Sequence, residues 1–188
     1  MVEKQSASIN REVRAFVGRR VGRVFILVWP PVGEENMLDV DMALGLVFDD
    51  APTQLCVISI DRADIWTPCV QYESLPLKMS SWQSFDSDIK AWMASSEGEE
   101  FKVQYFDFSF SPAFEFISGH LVRHVDLVCI KNDDKPFGVR LCFDEDYILL
   151  TPIADGGTVE TRFFNQNNNV AHFETLGRVE YRDAAVGG

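Results

Sequence analysis

The sequence predicts an α+β protein that is predominantly antiparallel β. Three observations support this class. Short apolar segments with period-two alternation recur between polar turns, one longer segment has its apolar residues at helical spacing, and an order of helix, glycine and strand occurs twice. With 46% hydrophobic and 12% aromatic residues among 188, the chain has enough apolar side chains for a packed core.

The segment 119–151 is the clearest part of this pattern. Apolar residues alternate with polar ones over residues 122–129 and 139–143, and a third apolar run follows at 147–151. Polar and acidic turn residues separate the three runs closely enough for hairpins. We therefore predict a three-stranded meander, preceded by a short helix that ends at Gly119.

The N-terminal part of the chain has the same order. Apolar residues at helical spacing precede Gly18, and with an offset of 101 residues Gly18 falls on Gly119 and Val21 on Val122. Two further apolar runs then complete a second meander. We predict two tandem copies of a unit made of a short helix and a three-stranded meander. The alternative that stays open is two similar stretches of one antiparallel sheet.

A longer amphipathic helix is predicted between the two units, at about residues 82–94, because its apolar residues recur at helical spacing. A polar break follows it. The domain organisation predicted from this break is a first half, 1–97, and a second half, 98–188, packed as one globular body. An apolar strand at about 101–110 is assigned to the second half.

The charge distribution limits the possible partners. The formal net charge is −12, and basic residues are concentrated in the first 23 positions, so the rest of the chain is more acidic than the whole. Such a body repels nucleic-acid phosphates and anionic membrane surfaces. No apolar run approaches the roughly 20 residues of a membrane span. We expect neither a nucleic acid nor a membrane as partner, and a basic protein fits best.

The cysteines and the N-terminus indicate a compartment. The four cysteines show no close pairing, and three lie inside predicted strands, where a thiol behaves as a small apolar side chain. The first residues are polar and lack the apolar core of a secretory signal. We therefore expect reduced cysteines and a cytoplasmic location.

No pattern for metal, cofactor or covalent chemistry stands out. His120 and His124 are four residues apart, but in a predicted strand they are separated by roughly 13 Å and cannot share a zinc ion. The glycine patterns of phosphate loops, dinucleotide sites and serine hydrolases are missing. We expect no metal, no cofactor and no catalytic residue, although the many carboxylates leave a paired-acid hydrolase open.

The leading functional hypothesis is an acidic, non-enzymatic binding protein that docks a basic protein partner. Acidic residues at predicted turns are the candidate contacts: Asp49, Asp50, Asp133, Asp134, Asp144, Glu145 and Asp146. The combination of acidic composition with strand, acidic turn and strand units resembles small bacterial immunity proteins that neutralise toxins. This resemblance implies an immunity or inhibitor role. It is one of composition and covers no defined motif.

Two alternatives remain. The first is a small-molecule-binding protein or hydrolase with a pocket between the two halves, lined by Trp66, Trp82, Trp92 and Tyr105. The second is a structural subunit that self-associates through an aromatic face, which makes a homo-oligomer possible.

Overall fold

The computed structural model describes residues 9–31, 40–60, 66–95, 102–153 and 156–185. The first sheet is formed by β1 (Val21–Val28), β2 (Met42–Phe48), β3 (Gln54–Ile60), β4 (Pro68–Ser74), β5 (Ser80–Ser81) and β6 (Gln104–Asp107). The second is formed by β7 (His124–Ile130), β8 (Pro136–Cys142), β9 (Tyr147–Pro152), β10 (Gly157–Thr161) and β11 (Val179–Asp183). The helices are α1 (residues 9–14), α2 (Phe85–Met93) and α3 (Val170–Phe173), with 3₁₀ turns at Trp82–Ser84 and Pro112–Phe114.

Five strands of the first sheet follow the same order as the five strands of the second sheet. The first runs β4-β3-β2-β1-β6-β5 and the second β10-β9-β8-β7-β11. Each is therefore a four-stranded antiparallel meander, followed by a strand that returns to the free side of the meander's first strand. Among the described strands, β5 alone pairs in parallel, with β6. The predicted α+β class with antiparallel sheets is confirmed, and each predicted three-stranded meander has a fourth strand, β4 or β10.

The core lies between the two sheets. Buried side chains from alternate positions of both sheets form a single apolar cluster, to which β1 contributes Val24 and Ile26 and β7 contributes Val125 and Leu127. The strands β2 and β10, and likewise β3 and β9, lie against each other across this layer. Two sheets that bury their inner faces in this way form a β-sandwich.

A short antiparallel bridge joins the two units at the entrances to β1 and β7. At its centre Arg20 pairs with Leu121. Four backbone hydrogen bonds surround this pair: Gly18 N to Val122 O (2.8 Å), Gly119 N to Val21 O (2.6 Å), Val21 N to His120 O (3.0 Å) and Val122 N to Arg19 O (2.9 Å). The offset of 101 residues relates these bonds in pairs. It maps the bond from Gly18 N onto the bond from Gly119 N, and the bond from Val21 N onto the bond from Val122 N. The bridge thus has local twofold symmetry.

Gly18 and Gly119 turn the chain into the two bridge segments. Both have φ of +81°, and a Cβ added at either would meet nothing within 4 Å. Glycine is therefore required by the left-handed backbone and not by crowding. Each glycine ends the turn that follows a helical segment, α1 in the first unit and the 3₁₀ turn Pro112–Phe114 in the second.

The predicted amphipathic helix at residues 82–94 is confirmed as the 3₁₀ turn Trp82–Ser84 followed by α2. Phe85 and Ile89 of α2 are buried, and the Phe85 ring packs edge-on against Phe106 and Phe108 at 5.2 and 5.3 Å. The helix therefore covers the side of the sandwich where β6 ends. None of the described helices is long and apolar enough to cross a membrane.

The strand predicted at 101–110 for the second half needs a correction. It is β6, only four residues long, and it pairs with β1 of the first sheet, Ile26 opposite Phe106. Phe106 faces the core and Tyr105 the outer face, which accounts for the apolar residues on both sides of the strand. By its pairing β6 belongs to the first sheet, whereas residue 97 itself lies outside the described residues.

Replacing Gly18 or Gly119 by alanine tests the symmetric bridge. We expect each substitution to lower the free energy of unfolding by about 1 kcal/mol, because a side chain disfavours the left-handed backbone. Asparagine tolerates this backbone better and should cost less at both positions. Urea denaturation of the four variants measures the effect. An alanine variant as stable as wild type would show that the backbone at that position does not require glycine.

Candidate functional site

The outer face of the second sheet carries a pocket of about 520 Å³. Its floor is formed by outward-facing side chains of β8 to β11, and its wall by α3 and the loop before it. The polar and charged lining residues are Arg140, Tyr147, Glu160, Thr161, Arg162, Gln166, Asn168, Glu174 and Tyr181. This volume falls in the range of small-ligand sites.

Arg140 is held in the floor of the pocket by a buried carboxylate and an aromatic ring. Its Nε and Nη2 donate to Asp126 Oδ2 at 3.0 and 2.7 Å, and its guanidinium lies 3.8 Å from the centre of the Tyr181 ring. Asp126 is 5% exposed. The charge of Arg140 is thus already balanced, and the arginine serves to fix the positions of Asp126 and Tyr181.

Glu160 is a buried charge in the lining of the pocket. It is only 4% exposed, and its Oε1 accepts a hydrogen bond from the backbone N–H of Asn169 at 2.9 Å. Among the described residues no lysine or arginine forms an ion pair with it. Burial raises its pKa, and the backbone N–H groups of Asn169 and Asn168 offset that effect only in part.

The wall beside Glu160 is a run of asparagines bonded to the sheet. Asn165 Nδ2 donates to Thr158 Oγ1 and Val159 O, and Asn169 Nδ2 donates to Thr151 Oγ1 and Pro152 O, at 2.7 to 3.0 Å. Asn165 has a φ of 51° and Asn168, which follows it in the wall, has a φ of 50°. Asparagine tolerates this left-handed conformation, so residues 165–169 form a fixed wall.

The first sheet has a depression of about 400 Å³ at the corresponding place. On the outer face of each sheet, residues opposite one another on neighbouring strands form a row that begins at an aspartate. In the first sheet Asp107 of β6 lies opposite Phe25, and in the second Asp183 of β11 lies opposite Asp126. In the first sheet the row reads Phe25, Gly45, Val57 and Gln71. In the second it reads Asp126, Arg140, Leu149 and Glu160. Three ionisable residues therefore replace uncharged ones in the same framework.

The predicted partner residues at the turns after β2 and β8 lie beside the bridge and are paired with arginines. Arg19 Nη2 donates to Asp50 Oδ1 at 2.6 Å, and this hydrogen bond is the largest cause that lowers the pKa of Asp50. Arg20 lies 3.9 Å from Asp49, and Arg123 donates to Asp144 at 2.7 Å. These carboxylates form a mixed-charge surface.

The remaining predicted acidic residues lie in different environments. Asp133 and Asp134 lie at the other end of β8, where Asp133 accepts from Lys135 N and Asp134 is 3.5 Å from Arg182. Glu145 is exposed, whereas Asp146 is 6% exposed.

Asp146 is a structural residue beside the pocket. Its Oδ1 accepts from the backbone N–H groups of Tyr147 and Arg162, at 2.7 and 2.9 Å, and its buried Oδ2 has no hydrogen-bond partner. Burial raises its pKa.

The aromatic residues of the alternative hypothesis do not line one pocket. Trp82 and Trp92 pack against the core between the sheets, and Trp66 touches Phe173 edge-on at 6.2 Å. Tyr105 lies in the depression of the first sheet and donates to Glu73 at 3.2 Å. Over the described parts of the two halves, the space between them is filled by the apolar core.

His124, Asp126 and Cys142 form the one cluster of possible metal ligands found in the described ranges, with donor atoms within 4.8 Å of one another. His124 and Cys142 lie opposite each other on β7 and β8. The sequence pattern indicates only the pair His120 and His124, so it does not predict this cluster. Arg140 already occupies Asp126 Oδ2, and burial raises the pKa of Cys142 to about 11. A guanidinium and a protonated thiol make this cluster a poor cation site.

Comparisons with models of protein families, with curated proteins and with solved structures found no match for this chain. A buried carboxylate, two tyrosines and a fixed loop suit a cationic group, because Arg140 is paired with Asp126 and Glu160 forms no ion pair with any described lysine or arginine.

Glu160→Gln tests the burial of this charge. Because the folded-state pKa of Glu160 is raised, its contribution to stability is present below the ordinary value of 4.5 and is lost as the pH rises through the folded-state pKa. Wild type should therefore gain free energy of unfolding relative to the variant as the pH falls from about 7 toward the ordinary glutamate value. Urea denaturation at several pH values measures this difference.

Asp107→Asn is the control of opposite sign. Burial would raise the pKa of Asp107, but hydrogen bonds from Ser109 and Arg23 lower it. Its stabilising contribution is thus present at neutral pH and lost below the ordinary aspartate pKa. A Glu160→Gln curve that runs parallel to wild type at every pH would show that Glu160 is not a perturbed carboxylate.

Proposed function

We propose that this protein is a non-enzymatic binding protein that docks a basic protein partner, and that one lysine or arginine side chain of the partner enters the pocket on the outer face of the second sheet. The observation that carries this proposal is Glu160, a carboxylate in the pocket lining that is 4% exposed and forms no ion pair with a lysine or arginine of the described ranges. A bound ammonium or guanidinium group would supply the missing charge.

The geometry of the pocket favours a cation over an anion. Arg140 is directed to Asp126, and Arg162 at the rim donates to the carbonyl oxygen of Glu145 at 3.4 Å. The rings of Tyr147 and Tyr181 line the cavity and offer aromatic surface and hydroxyl oxygens to a cationic side chain. Glu174 adds a second carboxylate to the lining.

The charge of the whole protein supports the same class of partner. A net charge of −12 attracts a basic protein at a distance, and the exposed part of the mixed-charge surface at Asp49, Asp50 and Asp144 contributes to this field. We assign two roles to the carboxylates. Exposed ones accelerate encounter, whereas Glu160 holds the bound side chain. An inhibitor or immunity role, in which binding covers a basic toxin, belongs to this class of function.

We also infer that the two units arose by duplication of one unit. The offset between the bridge glycines, the shared order of five strands in each sheet and the twofold bridge support this origin. On this account one outer face retains an uncharged row, and the other has acquired three ionisable residues, of which Glu160 recognises the partner.

Titration with small probes tests the pocket. We expect Nα-acetyl-arginine methylamide to shift the backbone amide NMR signals of Glu160, Asn168 and Asn169, because its guanidinium pairs with Glu160. The citrulline analogue, which has the same shape without the charge, should bind at least about tenfold more weakly. Glu160→Gln should remove most of this preference. Equal binding of the two probes, or a preference unaffected by the substitution, would reject a cation pocket.

The same titration separates a protein partner from a free metabolite. Millimolar affinity for the amino acid derivatives is expected if the cation is one contact within a larger interface. Micromolar binding of a small diamine such as putrescine would instead favour the small-molecule hypothesis for the same pocket. With a basic partner identified by affinity capture, neutralising Asp49 and Asp144 should lower the association rate at low salt, and Glu160→Gln should raise the dissociation rate.

A further inference from the structure

The strand β11 forms an open edge of the second sheet. It pairs with β7 on one side, and no strand in the described parts of the chain pairs with its other side. In the first sheet the corresponding strand is β6, whose outer side is covered by β5 with Ser80 opposite Phe106. Within the described ranges the second sheet has no such covering strand, and an exposed strand edge is a template for pairing with another chain.

The hydrogen bonds at both ends of β11 show which of its backbone groups point outward. Ala184 N donates to Val125 O, and Arg178 O accepts from Lys131 N. In an antiparallel pair the residues that bond to the neighbour alternate. The intervening residues of β11 therefore direct their N–H and C=O groups away from β7: Val179, Tyr181 and Asp183.

The charges of β11 select one register for pairing with a second copy. When the outward residues pair antiparallel about a twofold axis at Tyr181, Glu180 stands opposite Arg182 of the second copy, and Arg182 stands opposite Glu180 of the second copy. Shifting the register one way places Glu180 opposite Glu180, and shifting it the other way places Arg182 opposite Arg182. Opposite charges across strands stabilise pairing and like charges destabilise it.

We propose that two copies of this chain associate through antiparallel pairing of their β11 strands about a twofold axis at Tyr181. The second sheets then form one continuous sheet across the dimer. Glu180 and Arg182 occupy positions that do not exchange backbone hydrogen bonds across the new pair, where cross-strand side chains approach most closely. Because β11 also lines the pocket through Val179 and Tyr181, the two pockets lie on the same face of the dimer. This association is independent of the proposed function.

Sedimentation velocity over a concentration series tests the dimer with charge reversals. Each of Glu180→Arg and Arg182→Glu should be monomeric where wild type self-associates, because each places like charges opposite one another at both contacts. The double variant Glu180→Arg/Arg182→Glu should dimerise again. An equimolar mixture of the two single variants should form a heterodimer, since the arginine pair of one chain then faces the glutamate pair of the other.

Matched controls separate this register from a general effect of charge. Glu115→Arg and Arg14→Glu change the net charge by the same amounts at exposed positions outside β11 and should leave the dimer unchanged. Circular dichroism confirms that every variant is folded. Glu160→Gln should dimerise like wild type, so the dimer proposal can hold even if the pocket proposal fails. A monomeric wild type up to hundreds of micromolar, or single variants that do not complement each other, would overturn the proposal.

Discussion

The antiparallel bridge centred on Arg20 and Leu121 is the constraint on which the rest of the structure depends. Each unit forms a sheet with one strongly apolar face that must be covered. The bridge ties the entrances of β1 and β7 together with four hydrogen bonds, so that the apolar faces of the two sheets meet. The same arrangement determines which side chains lie on the outer faces, because successive residues of a strand point to opposite faces of the sheet.

The sequence predicts the strands and α2 well because their periodicity is local. Alternation over β7 and β8 and helical spacing over residues 85–93 are visible without knowledge of any partner. The position of β6 is different in kind. Its assignment to the first sheet depends on the contact of Ile26 with Phe106, which lies far away along the chain, whereas the polar break before it suggested a boundary.

The candidate site shows the same division between local and distant information. Acidic turns are conspicuous in the sequence, but the structure places arginines beside them, as at Asp50 and Asp144. Glu160 could not be recognised from the sequence, because a single charged residue in a short strand forms no local pattern that indicates a binding site. Its environment arises from the register of β7 to β10 and from hydrogen bonds to a loop that follows nine residues later. Only the assembled sheet brings these groups together.

The two outer faces separate the requirements of the fold from those of the site. Because the row Phe25, Gly45, Val57 and Gln71 is compatible with the same framework, the framework does not require the charges of the corresponding row. Burying the carboxylate of Glu160 costs free energy in the free protein, and its raised pKa expresses this cost. A glutamine at position 160, like Gln71 in the first row, would accept comparable hydrogen bonds without the cost of burying a charge. Under the proposed function, a cation that enters the pocket would offset this cost of burying the carboxylate.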